Sequence, residues 1–387
     1  MKKILIIGAY PPSLVNFRGD FISTLVQSGH QVTAMAAPAS QETIIQLQSL
    51  GADFRAFPIQ RNGLNPWNDF KTFISLYKIF CQEKPDIVFA YTIKPVIFGG
   101  FAISCLNKNV PFYALITGLG YVFEGKNTQR RLLRKIASWL YNLSLRKATR
   151  VIFQNYDNQE KFVKKHIVSA DKCAVVDGSG VDIKHFQVAQ MKAGKPIFLL
   201  IARLLQEKGI REYTRAARKV KERYPDAVFN VLGPEDPSPD GVSITKIQAW
   251  HDKGIIQYLG VTDDVRPFLT SCHAYVLPSY HEGMPRSVLE AMATGRPVLT
   301  TDTPGCRETV IQGENGFLVP VRNAEALAER MTWFIEHPEE WKRMGKRSRE
   351  IAEEKFDVQK INKELMAIMG LEQSNTNPTF YKKIKNI

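Results

Sequence analysis

Pro278-Ser279-Tyr280-His281-Glu282-Gly283-Met284-Pro285-Arg286-Ser287-Val288-Leu289-Glu290, continuing as Ala291-Met292-Ala293-Thr294-Gly295-Arg296-Pro297-Val298, decides how this chain is read. Four apolar residues, Ala274 to Leu277, lead into it as a strand. A turn rich in Gly and Pro follows. A helix then starts near Arg286 or Ser287 and stops at Gly295, with Pro297 just beyond. Strand, turn, helix and strand in succession predict an α/β fold. Glu282 lies in the turn and Glu290 inside the helix, eight residues apart. The helix N-terminus between them carries free N–H groups and a partial positive charge, a ready place for phosphate. The order carboxylate, anion site, carboxylate suits a ligand built as polyol, diphosphate, polyol, which is a sugar nucleotide. Glu282 would grip hydroxyls of the sugar and Glu290 those of the ribose. The same two residues also read as a turn glutamate and an exposed helix glutamate with no ligand.

Upstream, Pro196 to Ala202 is another apolar strand, and Arg203 follows at its carboxyl end, where ligands bind in open α/β sheets. Lys208 and Gly209 begin the next helix. Two cations converging there can neutralise a diphosphate without a metal, Arg as a bidentate fork and Lys as a point charge. A salt bridge from these cations to Glu207, or a solvated helix end, is the alternative. No Asp-x-Asp occurs, so a metal-bridged diphosphate has no obvious ligands and no metal is expected.

Glu282-x7-Glu290 after Pro-Ser, with Glu290-Ala-Met-Ala-x-Gly-x-Pro-Val298, resembles the retaining glycosyltransferases of family 4. The resemblance extends to Gly180-Val181-Asp182-x-x-x-Phe186 and Ile201-Ala202-Arg203-Leu204-x-x-Glu207-Lys208-Gly209. It continues through Pro304-Gly305-Cys306-Arg307-Glu308 and Gly313-x-Asn315-Gly316-Phe317-Leu318-Val319-Pro320. It covers nearly all of the C-terminal half in the family's order. It implies the GT-B fold, two Rossmann-like β/α/β domains facing each other across a cleft, and transfer of a sugar with retained anomeric configuration. The donor would lie on the second domain, its diphosphate on Arg203, Lys208 and the amides near Pro285, Arg286 and Ser287, its ribose on Glu290, its sugar on Glu282 and the Gly283-Met284 backbone. Arg203, Lys208 and Glu282 would carry the catalysis. UDP is the expected carrier. No carboxylate is placed as a covalent nucleophile, and the resemblance implies front-face attack with the leaving phosphate taking the acceptor's proton.

Composition agrees. At 387 residues the chain suits two domains, and 44% hydrophobic with 23% charged residues is the balance of a soluble globular protein. No apolar run reaches the roughly 18 residues of a spanning helix. Met1-Lys2-Lys3 runs into a strand too short for a signal peptide's apolar region. Five scattered cysteines, never Cys-x-x-Cys, argue against a disulfide framework and a zinc site, so a reducing cytoplasm is expected.

The first half opens with the unbroken apolar strand Lys3 to Gly8, read as buried and parallel. A loop from Ala9 to Gly19 and a helix to Ser28 follow, without Gly-x-Gly-x-x-G, so a dinucleotide cradle is excluded. The Arg18-Gly19 end of that loop reads either as a phosphate contact at the helix start or as a tight turn with a solvated Arg. Phe112 to Ile116 is a strand ending in Thr117-Gly118. In many relatives a histidine from this region meets the sugar. None occurs between His30 and His166, so that role is unfilled or falls to the Thr117-Gly118 backbone. A linker through Gly178 to Lys195 divides residues 1–186, the acceptor-side domain, from 187–356, the donor-side domain. Residues 357–387 form a helix returning to the first domain plus a basic tail.

The net charge of +14 concentrates between Lys126 and Lys165, where Asp157 and Glu160 are the only acids. A helix from Thr128 carries Leu132, Ile136, Leu140 and Leu143 at helical spacing, with Trp139 near them and Arg130, Arg131, Arg134, Lys135 and Arg146 around them. Its stripe can pack into the first domain's core or lie on an anionic membrane surface. With a polyprenyl-diphosphate-linked sugar or other glycan as acceptor, the expected place is the inner face of the cell membrane, held peripherally. A sugar-nucleotide epimerase of the same fold is the alternative reading. A basic nucleic-acid-binding protein lacks a binding motif, so nucleic acid is not an expected partner. No cofactor beyond the nucleotide sugar is expected.

Overall fold

The structure, a computed structural model, describes residues 1–60, 63, 65–118 and 128–371. Residues 119–127, the side chains of residues 128–130 and the basic tail lie outside the described residues. Seven strands form a parallel sheet in the order β3-β2-β1-β4-β5-β6-β7. They are β1 Lys3–Ile7, β2 Gln31–Ala36, β3 Asp53–Ala56, β4 Ile87–Tyr91, β5 Phe112–Ile116, β6 Arg150–Phe153 and β7 Cys173–Val175. Six more form a second parallel sheet in the order β10-β9-β8-β11-β12-β13. These are β8 Ile197–Ile201, β9 Val228–Leu232, β10 Gln257–Tyr258, β11 Ala274–Leu277, β12 Val298–Thr301 and β13 Gly316–Val319.

Unbroken apolar strands require both faces covered, because successive side chains point to opposite faces. In β1, Ile4 and Ile6 pack with Leu14, Phe21 and Ile22 of the helix Pro12–Gln27, while Leu5 and Ile7 pack with Leu76 and Phe80 of the helix Pro66–Glu83. Phe186, given to the first domain by the sequence reading, packs in the second core beside Leu199 and Tyr275, as does Val181. The chain crosses between domains twice, side by side. The Val181 amide donates to the Phe356 carbonyl at 2.8 Å, and the Val358 amide donates to the Val181 carbonyl at 3.0 Å. In the helix Val358–Ile368, Ile361, Leu365 and Met366 pack in the core of Ile4 and Phe21.

The first helix begins at Pro12 rather than after Gly19, because proline at the first helical position loses an N–H that would have no partner anyway. Arg18 and Gly19 are therefore interior helical residues. The edge strand of the second sheet, β10, is only the two residues Gln257–Tyr258. The helix Thr128–Ser144 buries Ala137, Tyr141 and Ser144 and leaves Leu132, Ile136 and Trp139 exposed at 62%, 46% and 61%. Of the expected stripe, only Leu140 packs against the core cluster of the first domain.

Candidate active site

Glu282 is held by the sheet below it and by turns on both sides. The Ser279–Glu282 segment leaves β11 and meets the turn Gln206–Lys208, which leaves β8. The Tyr280 amide donates to the Glu207 carbonyl at 2.7 Å, and the Ser279 hydroxyl oxygen lies 3.1 Å from the same oxygen. Gly209, at φ +72°, makes this approach possible, since a Cβ there would come 2.1 Å from the Pro278 carbonyl oxygen. From the other side the Glu282 amide donates to the Pro304 carbonyl at 3.1 Å, and Thr303 Oγ1 to the Tyr280 carbonyl at 2.8 Å. The Pro304-Gly305 turn thus acts as a buttress for the glutamate.

The carboxylate of Glu282 accepts from Lys208 Nζ at 2.5 Å and from the Ser279 hydroxyl at 2.7 Å. Arg203 pairs with Asp236, and so the expected alternative partner, Glu207, is not the one used. Asp236 lies in the loop after β9 and its carboxyl is held below the usual range by hydrogen bonds from Ser238 and Arg203, against the opposing effect of burial. The same loop reaches the Lys208 turn, where Asp240 Oδ2 accepts from the Glu207 amide at 3.0 Å. Arg286, the first residue of the helix Arg286–Ala293, donates from Nε to Glu290 Oε1 at 2.9 Å. Burial pushes the Glu290 carboxyl up and Arg286 opposes it. Three cations therefore stand in one cleft, each against its own carboxylate. The Ser287 hydroxyl is committed to the sheet: it receives Tyr275 OH at 2.6 Å and donates to the Ile201 carbonyl at 3.1 Å. What this residue can offer a ligand is its main-chain amide, one of the unpaired donors of a helix start.

The first domain forms the opposite wall. Arg286 lies over the Phe17 ring at 5.5 Å, and Arg307 meets Asp157 at 3.5 Å. Arg18 is buried at 2% exposure with its guanidinium 5.3 Å from the Tyr91 ring centre, and its Nε has no hydrogen-bond partner. Burial lowers its pKa to about 10, with Tyr91 opposing and Arg286 adding to the shift, so it stays charged at neutral pH. No carboxylate pairs with it among the described residues. Gly19 instead faces Leu50 in the domain's own packing. Thr117 and Gly118, at the end of β5, abut Gly283. His281 is half-buried: its Nε2 is 3.3 Å from Asn158 Oδ1 of the first domain, and burial with Lys161 nearby lowers its pKa to about 4.

The structure thus gathers Arg203, Lys208, Glu282, Gly283, Met284, Pro285, Arg286, Ser287 and Glu290 on the second domain, with Arg18, Thr117 and Gly118 across from them. Sequence reading missed Asp236 and Ser279. Ser279 stood in the quoted stretch, and its spacing of three from Glu282 was the available signal. Asp236 carried none, because its partner Arg203 follows a different strand. No cluster of His, Cys, Asp or Glu able to hold a metal occurs among the described residues.

The glycosyl transferases group 1 model matches residues 181–351, and the glycosyl transferase 4-like model residues 7–155. The chain is 29% identical to the N,N'-diacetylbacillosaminyl-diphospho-undecaprenol alpha-1,3-N-acetylgalactosaminyltransferase of Campylobacter jejuni, over 84% of this chain and 87% of that one. It is 28% identical to an Escherichia coli UDP-Gal:alpha-D-GlcNAc-diphosphoundecaprenol alpha-1,3-galactosyltransferase, over 67% of this chain and 68% of that one. The structure of Anabaena HepE in complex with UDP and glucose superimposes with a TM-score of 0.77 at 18% identity, over 96% of this chain and 99% of that one. Two parallel-sheet domains closing on a Glu-x7-Glu site, each half matched by one of these models, make the chain a member of the family 4 glycosyltransferases with the GT-B fold.

Proposed function

We propose that the protein moves a hexose or N-acetylhexosamine from a UDP-sugar to a polyprenyl-diphosphate-linked sugar, with retention of anomeric configuration. The observation that carries this reading is the Lys208–Glu282 pair, a cation suited to phosphate and a carboxylate suited to hydroxyls 2.5 Å apart. It stands beside Arg203 and the free amides at the start of the helix Arg286–Ala293. The donor's diphosphate takes these cations and amides, Glu290 the ribose, and Glu282 the sugar. As the sugar–phosphate bond breaks, negative charge grows on the leaving diphosphate, so Arg203 and Lys208 help most in the transition state. The acceptor hydroxyl attacks from the same face and passes its proton to the departing phosphate oxygen. Arg18, which has no carboxylate partner among the described residues, offers net positive charge to the acceptor's diphosphate.

Support for the acceptor comes from the two relatives whose names carry a diphosphoundecaprenol sugar. None of the described helices is long and apolar enough to cross a membrane. The exposed Leu132, Ile136 and Trp139 lie on one helix with the exposed Arg131 and Lys135, the pattern of an interfacial helix, so the first domain rests on the anionic inner face of the cell membrane. The test is transfer from UDP-sugars to a polyprenyl-diphosphate sugar, with the new linkage read by NMR. Retained configuration and full activity in EDTA are expected. An inverted linkage, or loss in EDTA restored by magnesium, would refute the reading.

A further inference from the structure

The loop that carries Glu282 is gripped from the opposite domain. Asn155, at the end of β6, donates from Nδ2 to the Gly283 carbonyl at 2.7 Å in a buried contact. Its Oδ1 accepts the Asn158 amide at 2.9 Å and so caps the helix Tyr156–Lys164. Gly283 lies so close to the first domain that a Cβ there would come 1.8 Å from the Thr117 carbonyl oxygen and 2.8 Å from Gln154 Oε1. On the far side the Met284 side chain packs on the crossing segment, where a Cβ on Gly178 would stand 2.5 Å from Met284 Cγ. The loop is therefore clamped between the first domain's strand ends and the interdomain crossing.

A trans peptide is planar, with its C=O and N–H pointing in opposite directions. Holding the Gly283 carbonyl toward Asn155 turns the Met284 N–H the other way. Neither the Gly283 nor the Met284 amide has an acceptor among the described residues, although both residues are buried. Buried amides without an acceptor are rare, and next to Glu282 they stand ready for a ligand oxygen.

We propose that Asn155 is a positioning residue: it locks the Gly283–Met284 peptide so that the Met284 N–H faces the donor sugar, and it does so only with the two domains closed. The acceptor-side domain thus completes the donor-sugar site. This rests on the reading that the Glu282–Met284 loop holds the sugar. Plain UDP, held by the second domain, needs none of it.

Asn155→Asp separates the two jobs of the side chain. An aspartate oxygen still caps the helix, but it cannot donate to the Gly283 carbonyl and sets a lone pair against it. The expected result is a kcat lowered roughly 100-fold, the scale of one lost oriented donor, with the Kd of plain UDP unchanged in the folded variant, whose melting temperature falls because a buried carboxylate has replaced an amide. Gly283→Ala reads the same contact from the other domain, by collision with Thr117, and is expected to show the same split even if Asn155→Asp fails to fold. Wild-type kcat in either folded variant, or UDP affinity falling together with kcat, overturns the proposal. Wild-type transfer by Glu282→Gln would instead remove the reading beneath it.

Discussion

Replacing Lys208 by Met keeps the length of the side chain and removes its charge. In the intact protein Lys208 and Glu282 are 2.5 Å apart, with side chains only 15% and 13% exposed. Breaking a buried pair by removing one partner costs about 3–5 kcal/mol in general, because a charge is left without compensation. Here the Ser279 hydroxyl still donates to the carboxylate at 2.7 Å, which places the cost near the lower end, about 3 kcal/mol. For domains of this size that corresponds to a fall of about 6–12 °C in the melting transition. Turnover should fall roughly 100-fold or more, since the lysine meets charge that grows in the transition state. The double variant Lys208→Met, Glu282→Gln carries no uncompensated charge, and its melting temperature should return close to the wild-type value while transfer stays lost. Differential scanning calorimetry and single-turnover transfer measure the two effects separately. A single variant with unchanged melting and turnover would refute the reasoning. So would a double variant that regains turnover, because the lysine would then serve only to neutralise Glu282.

The two glutamates should part under calorimetry: Glu290→Gln weakens plain UDP as well as UDP-sugar, whereas Glu282→Gln leaves UDP binding intact and damages transfer. Equal losses in both would reverse the assignment of ribose and sugar. His281 has a folded pKa of about 4 against an ordinary 6.5, so the unfolded chain binds the extra proton between those values and stability falls as pH drops through that window. Urea unfolding should show about 2 kcal/mol lost from this residue between pH 7 and pH 5, and His281→Gln should lose correspondingly less; equal losses would sink the assignment. Wild type should float with anionic liposomes at low salt and separate from them at high salt. Arg131→Glu with Lys135→Glu, or Trp139→Ser with Leu132→Ser, should stay in solution, and folded variants that still float would dismiss the membrane surface.

Much of this molecule was legible before any coordinates. Unbroken apolar runs such as Lys3–Ile7 and Ala274–Leu277 declare buried parallel strands, and Gly295 with Pro297 ends a helix, because strand burial and helix termination are local matters of side-chain alternation and backbone freedom. The Glu282-x7-Glu290 spacing across a helix start, and the cations at the end of β8, belong to the same local class. Where the first helix begins was less legible, since Pro11 and Pro12 suit a loop as well as a helix start. Tertiary structure alone decided the partners. Arg203 meets Asp236 rather than the nearby Glu207, Lys208 meets Glu282 from another strand end, and Asn155 reaches Gly283 from the other domain. It also chose between the two places open to the stripe of the helix Thr128–Ser144, leaving Leu132 and Ile136 exposed while Ala137, Tyr141 and Ser144 are buried. The reason is the same in each case: strand order in the two sheets sets which carboxyl ends become neighbours, and sequence spacing carries no measure of that distance.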